Sequence, residues 1–292
     1  MVSIKKKKDN KGNVYYYIQQ TIRKGKRVEY KEKYLGKHIP KNIEELKIKL
    51  FRESYKELYN SIDSIKNNYN KELKIIPKSI KEKSLELFVT RFTYDTQRIE
   101  GSTLSLRDTA NLLEKGITPK DKPIVDIKEA EGHKKLFHKI LDYQKDLSYS
   151  IIVEWHTLLF KETKQDIAGK IRKHKVGISG SKFIPPLPIE IYPLLKEFFK
   201  WYNKNKEEKL HPVELAALVH LKFVTIHPFS DGNGRISRLM MNFVLNKKRY
   251  PMFNIPYEGR NSYYNALERS QIKGEWNHFL LWFIKNYIKG NK

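Results

Sequence analysis

Apolar residues recur at helical spacing through most of this chain. From residue 41 onward Ile43, Leu46, Leu50, Leu58, Ile62 and Ile65 return near a 3.6-residue period, as in helices with one buried face. Pro77 interrupts the pattern, and a second helix is expected from about Ser79 to Glu100, stopped by Gly101. Ser105 and Asp108 predict a capping box for a short helix that ends before Gly116. Further helices are expected near 126–144, 148–164, 189–204, 212–226, 235–247 and 261–288. Two stretches break this rhythm. Residues 13–37 alternate β-branched and aromatic residues around Lys24-Gly25-Lys26, which predicts a hairpin and a third short strand at Tyr34-Leu35. Residues 165–188 are rich in Gly, Ser and Pro and are expected to form an extended flap or hairpin. The expected fold class is mainly α: a helical bundle with a short β-hairpin flap and a small N-terminal β-hairpin appendage. Its expected parts are a basic β-rich appendage over 1–40, a helical region over 41–116 and a core domain over 117–292. No internal repeat is evident.

Composition narrows the class. The chain has 292 residues, 39% of them hydrophobic, enough for a real core. It has no cysteine, which removes disulfides, thiolate metal sites and cysteine nucleophiles together. No apolar run reaches the roughly 18 residues of a membrane span. The basic start MVSIKKKKDNKG is not followed by the apolar stretch of a secretory signal, so a cytoplasmic protein with no membrane partner is expected. Lys and Arg number 58 against 33 Asp and Glu, a formal charge of +25. Most of this excess is diffuse and mixed with Asn, Ile and Tyr, as in a general compositional habit. Its densest part is residues 1–37, with twelve Lys/Arg and three acids. Basic strands interleaved with Tyr suit nucleic acid, and equally suit an edge ribbon kept soluble by charge.

The stretch with the most chemistry is His227 to Arg238, HPFSDGNGRISR, between two strongly apolar helical patterns. Asp231-Gly232-Asn233-Gly234 feeds the start of a helix, where unpaired N–H groups and the helix dipole favour an anion. Arg235 and Arg238 stand three apart, so both can face one anion, and guanidinium forks suit phosphate oxygens. Asp231 is a carboxylate beside that site, as Mg2+ on a phosphate requires. His227 is the nearby group able to accept a proton near neutral pH. His220 lies seven residues before His227 on one helical face, but no third ligand accompanies the pair, so packing is the reading for His220.

This stretch resembles the Fic family motif HPFx(D/E)GNGRxxR and matches it at every fixed position. The resemblance covers roughly residues 85–285 and leaves out the N-terminal hairpin. It implies a Fic-type helical bundle and a protein adenylyltransferase, an ATP- and Mg2+-dependent enzyme that transfers AMP to a Ser, Thr or Tyr hydroxyl of a target protein. By the resemblance His227 is the base and Asp231 holds the metal. Gly232, Asn233, Gly234 and Arg235 cradle the phosphates, Arg235 and Arg238 take the outer ones, and Phe229 anchors the loop. Val176, Gly177, Ile178 and Ser179 of the flap lie near the nucleotide, and the flap docks the target by main-chain pairing. Tyr263 and Tyr264 resemble a pair bordering the adenine, and Gln271 stands where many relatives carry Asn.

Thr96-Gln97-Arg98-Ile99-Glu100-Gly101 matches the family's inhibitory pattern (S/T)xxxE(G/N), on a helix expected over about 84–101. The resemblance implies that Glu100 pairs with Arg238 and holds ATP in an unproductive pose. It also implies a homodimer. The reverse reaction, in which Glu100 orients a water and His227 protonates the leaving hydroxyl, stays open, as does transfer of phosphate, phosphocholine or UMP. The intact GNGR favours AMP. A reading of another class is a nucleotide-sensing regulator that binds nucleic acid through the basic hairpin.

Overall fold

The computed structural model describes residues 2–25, 27–207 and 210–291. The chain forms two compact units, Met1–Ile65 and Lys66–Lys292.

In the first unit, strands β1 (Val2–Lys8), β2 (Val14–Lys24) and β3 (Arg27–Gly36) form an antiparallel sheet in the order β1-β2-β3. The third strand is therefore the basic run Val2–Lys8, and the expectation of a short strand at Tyr34-Leu35 is corrected, since both residues belong to β3. A lysine run carries no apolar alternation to announce a strand, yet an edge strand tolerates it because water reaches its side chains. The turn before β2 is held by Asp9, whose Oδ1 accepts the N–H groups of Lys11 and Asn13 at 2.9 and 2.8 Å. Helix α1 (Ile43–Ser54) packs on β1 and β2 and buries Leu50 and Phe51. Helix α2 (Lys56–Ile75) begins in this unit and buries Tyr59 and Ile62 there.

The second unit holds α3 (Lys78–Ile99), α4 (Leu106–Lys115), α5 (Ile124–Asp142), α6 (Tyr149–Phe160), α7 (Ile191–Asn205), α8 (Pro212–Ile226), α9 (Asn233–Lys247), α10 (Arg260–Lys273) and α11 (Asn277–Gly290). Helices α8 and α9 are buried on nearly every face and form its centre. Around them pack α7 and α11 on α8, and α3, α5 and α6 on α9. The Ser105–Asp108 capping box is present, and Gly116 ends α4 in the left-handed conformation. The single helix expected over 261–288 is two helices. Gly274, with φ +61°, ends α10 and lets the chain turn, while the apolar spacing simply continues on both sides. The expected flap hairpin is also corrected. Residues 171–187 carry one isolated bridge, Ile171 to Phe229, and no strand pair. Pro185 and Pro186 have no N–H to give a ladder. Arg172 closes the flap instead, donating to the carbonyls of His227 (2.8 Å), His174 (2.9 Å) and Pro186 (2.6 Å). No described helix is long and apolar enough to cross a membrane.

Candidate active site

Helix α8 ends at Ile226, and His227 turns the chain with φ 52° and ψ 57°, a left-handed conformation uncommon for a residue with a side chain. The turn folds the imidazole back so that Nδ1 lies 3.2 Å from the Val224 carbonyl. A carbonyl only accepts, so Nδ1 carries the hydrogen and Nε2 of the neutral ring keeps its lone pair. Burial, helped by the Arg172 guanidinium, holds the His227 pKa below its ordinary value.

The loop that follows is pinned from inside. Phe229 is fully buried and stacks on His156, with ring centroids 3.7 Å apart. The Asn233 amide is spent on Phe229, accepting its N–H at 2.9 Å and donating to its carbonyl at 2.8 Å. Asn233 therefore shapes the loop and does not present its side chain to a ligand. Gly232 has φ +77°, and a Cβ there would lie 2.5 Å from the Phe160 ring, so glycine is required on both counts. No side chain caps the start of α9, which leaves its first N–H groups without a side-chain cap.

His156 ties the loop to the flap. Its Nδ1 accepts the Gly169 N–H at 2.9 Å, so its Nε2 carries the hydrogen and donates to the Asp231 carbonyl at 3.0 Å. Burial pushes its pKa down to about 4, which keeps this tautomer neutral.

The two motif arginines diverge. Each is paired with a different acid. Arg235, 2% exposed, is held by Glu129, Gln97 and Asp231 and lies over the Phe160 ring. Arg238, 1% exposed, donates to Glu100 at 2.5 Å and to the Thr96 hydroxyl and carbonyl and the Tyr263 hydroxyl, each at 3.3 Å. Thr96 and Glu100 thus meet Arg238 one helical turn apart at the end of α3. A Cβ on Gly234 would come within 2.3 Å of Glu100 Oε1, so this glycine makes the room in which Glu100 sits.

Asp231 is already balanced. Its Oδ1 accepts the Gly232 N–H at 2.5 Å and Arg235 at 3.0 Å, and its Oδ2 accepts Lys164 Nζ at 2.6 Å. Burial works to raise its pKa, but Arg235 and Lys164 outweigh that and hold it at about 2. Lys164 also reaches Glu129 Oε1 at 3.1 Å. Among the described residues no group of three or more acids, histidines or cysteines could cage a metal. A single partly exposed carboxylate fits an ion such as Mg2+ that takes the rest of its shell from phosphates and water.

The remaining expected residues are spread around this centre. Tyr263 is buried, its hydroxyl between Arg238 and His220 Nε2, 3.0 Å away. Tyr264 is 43% exposed and its hydroxyl donates to the Ile99 carbonyl at 2.9 Å. Gln271 has a buried Nε2 with no protein partner. Val176 to Ser179 lie in the open part of the flap, and Ser181 just beyond them donates to Glu268 of α10 at 3.0 Å. Sequence reasoning missed Glu129, Lys164, His156 and Gln97. Glu129 and His156 each sit within a helical apolar pattern, and Lys164 is one lysine among many.

A model of the Fic/DOC family matches residues 146–245. Protein adenylyltransferase Fic of Drosophila yakuba is 36% identical over 178 residues, which are 60% of this chain and 36% of that protein. The chain thus spans little more than a third of the length of the curated relatives it matches. A Fic domain-containing signaling protein from Bacteroides thetaiotaomicron superposes with a TM-score of 0.70 at 27% identity, covering 81% of this chain and 93% of that one. Fic-1 of C. elegans superposes with a TM-score of 0.70 at 26% identity, covering 86% and 76%. Residues 146–245, with the HPFSDGNGRISR loop between α8 and α9, are thus the part of this chain that matches the Fic/DOC family.

Proposed function

We propose that this protein is an adenylyltransferase that moves AMP from ATP to a Ser, Thr or Tyr hydroxyl of a target protein, and that Glu100 holds it inhibited. The observation that carries the reading is His227, whose Nδ1 is fixed on the Val224 carbonyl while Nε2 of the neutral ring keeps its lone pair, in the loop that leads into α9. His227 takes the proton of the target hydroxyl. The oxygen then bonds to the α-phosphorus of ATP, the bond from that phosphorus to the β-phosphate oxygen breaks, and pyrophosphate leaves. The N–H groups from Gly232 to Arg235 receive the phosphate charge, since such transfer needs positioning and neutralisation more than covalent help. Asp231 would hold Mg2+, which supplies further neutralisation when it arrives with the nucleotide. Arg238 must reach the outer phosphates, and its ion pair with Glu100 opposes this. The extended flap, anchored through Arg172 and Ser181, docks a segment of the target. We take the enzyme to act as a homodimer, which light scattering at micromolar concentration checks.

The test is intact-protein mass spectrometry of Glu100→Gly after incubation with ATP and Mg2+, with His227→Ala in the same background. A gain of AMP that disappears with His227→Ala is expected. No gain with ATP, together with release of AMP from a modified substrate by the unaltered protein, would replace the reading with the reverse hydrolysis.

A further inference from the structure

The N-terminal sheet has two unlike faces. In an antiparallel ladder, directly paired residues share a face and successive residues alternate between faces. The face toward α1 carries Val2, Ile18, Gln20 and Ile22, all buried. The register Lys5 to Tyr17 to Tyr34, with Lys7 opposite Tyr15, places these residues on the other face, and Arg23 joins them two pairs beyond Gln19. The Tyr34 ring centroid lies 5.3 Å from Tyr17 and 6.1 Å from Tyr15, and Lys7 Nζ stands 4.6 Å from the Tyr17 centroid. Tyr34 is 54% exposed and Tyr30, further along β3, is 61% exposed.

A need for solubility explains the lysines on an edge strand but not a cluster of rings turned to water, which a strand face would ordinarily fill with Thr, Lys or Glu. Glu32, the acid on this face, meets Lys7 at 2.7 Å and Gln19 at 2.6 Å, and Lys5, Lys7 and Arg23 outnumber it, so the face stays positive. Residues 1–37 carry twelve basic and three acidic side chains, a net of +9 (12 − 3). Cations set among open aromatic rings match a partner that offers phosphates and bases together.

We propose that this open face of the sheet binds nucleic acid, with Lys5, Lys7 and Arg23 on phosphates and Tyr15, Tyr17 and Tyr34 against bases. The proposal does not depend on the transferase reading.

The test is fluorescence anisotropy with the full chain carrying His227→Ala, without ATP. The probes are a labelled mixed-sequence DNA strand of about 20 nucleotides, the RNA of the same sequence, and the DNA duplex. Three phosphate contacts give an affinity that falls roughly twentyfold to fortyfold between about 50 and 200 mM salt. Lys5→Ala with Lys7→Ala lowers the logarithmic salt slope by about one to two. Tyr34→Ala weakens binding on the order of tenfold, and Tyr34→Phe, which keeps a ring, restores it. Both strands sit at the surface here, and a melting curve superposable on that of the unaltered protein shows that the variants fold. Lys285→Ala with Lys289→Ala, two exposed lysines of α11, leaves binding unchanged. A preference for single strands places the rings on base faces, and a preference for duplex places them in a groove; either supports the proposal. It is overturned by no binding at low salt, by binding that survives Tyr34→Ala with Lys5→Ala and Lys7→Ala, or by an equal loss from the α11 pair.

Discussion

Glu100, at the end of α3, and Arg238, on the second turn of α9, are 138 residues apart in sequence and joined by a 2.5 Å ion pair. The arginine is buried while the carboxylate is 26% exposed, so the pair stands at the boundary between core and site. Arg238 keeps further acceptors in Thr96 and the Tyr263 hydroxyl. Removing Glu100 therefore frees the arginine for a ligand without stranding it. Glu100→Gly is expected to raise self-modification with ATP on the order of tenfold or more, while costing about 2 kcal/mol of stability, less than for a fully buried pair. Mass spectrometry and urea unfolding read the two effects. A variant as inactive as the unaltered protein, with intact ATP binding, would remove Glu100 from its inhibitory role.

Gly234 and Glu100 should be coupled. A Cβ at 234 would lie 2.3 Å from Glu100 Oε1 and 3.0 Å from an Arg238 nitrogen. Gly234→Ala is expected to destabilise the unaltered protein by about 2 kcal/mol and the Glu100→Gly protein by about 1 kcal/mol less, since the nearest obstacle is gone. A double-mutant cycle in urea measures the difference, and strict additivity would mean that the loop shifts by some other route.

Lys164 competes with any cation that seeks Asp231. Its ammonium lies 2.6 Å from Asp231 Oδ2, on a carboxyl already held at a pKa of about 2. Lys164→Gln is expected to lower the Mg2+ concentration needed for half-maximal ATP binding by roughly threefold to tenfold, because an attractive charge at short range is removed. Calorimetric titration of Mg2+ with a non-hydrolysable ATP analogue checks this without turnover. Weaker Mg2+ binding would show instead that Lys164 supports the site.

The pH profile follows from His227. Its base form is the neutral ring, and burial holds its pKa below the ordinary value near 6.5. Protonation removes activity, so the rate of the Glu100→Gly protein should rise through a midpoint below about 6.5 and be level from pH 7 upward. Initial rates across that range, at saturating ATP, give the curve. A rate still climbing above pH 8 would assign the base to another group.

The same burial acts on stability. His133 and His156, with pKa values lowered to about 3 and about 4, stay neutral in the folded chain while the unfolded chain protonates them below about 6.5. The unfolded state then binds more protons, so stability falls with pH by up to about 1.4 kcal/mol per unit for each histidine below that point. Thermal melts between pH 7 and 5 should show a steep loss, and His133→Gln or His156→Gln should flatten it relative to its own value at pH 7.

What the sequence by itself determined is local. Pro212 opening α8, the Ser105–Asp108 box, Gly116 and Gly101 as stops, and the loop from His227 to Arg238 act through neighbours a few residues away, so their chemistry is written in short stretches. The Thr96–Glu100 spacing belongs with them, because one helical turn aligns the two side chains toward Arg238. The tertiary structure decided the pairings across long separations. Arg235 met Glu129, 106 residues away, and Lys164 reached Asp231 across 67. His156 found the Asp231 carbonyl across 75 residues. A buried charge or imidazole takes whichever partner the packed helices bring within hydrogen-bond reach, and no spacing in the chain records that choice. The basic run Val2–Lys8 became a strand for a similar reason: its backbone groups pair with β2 whatever its side chains are.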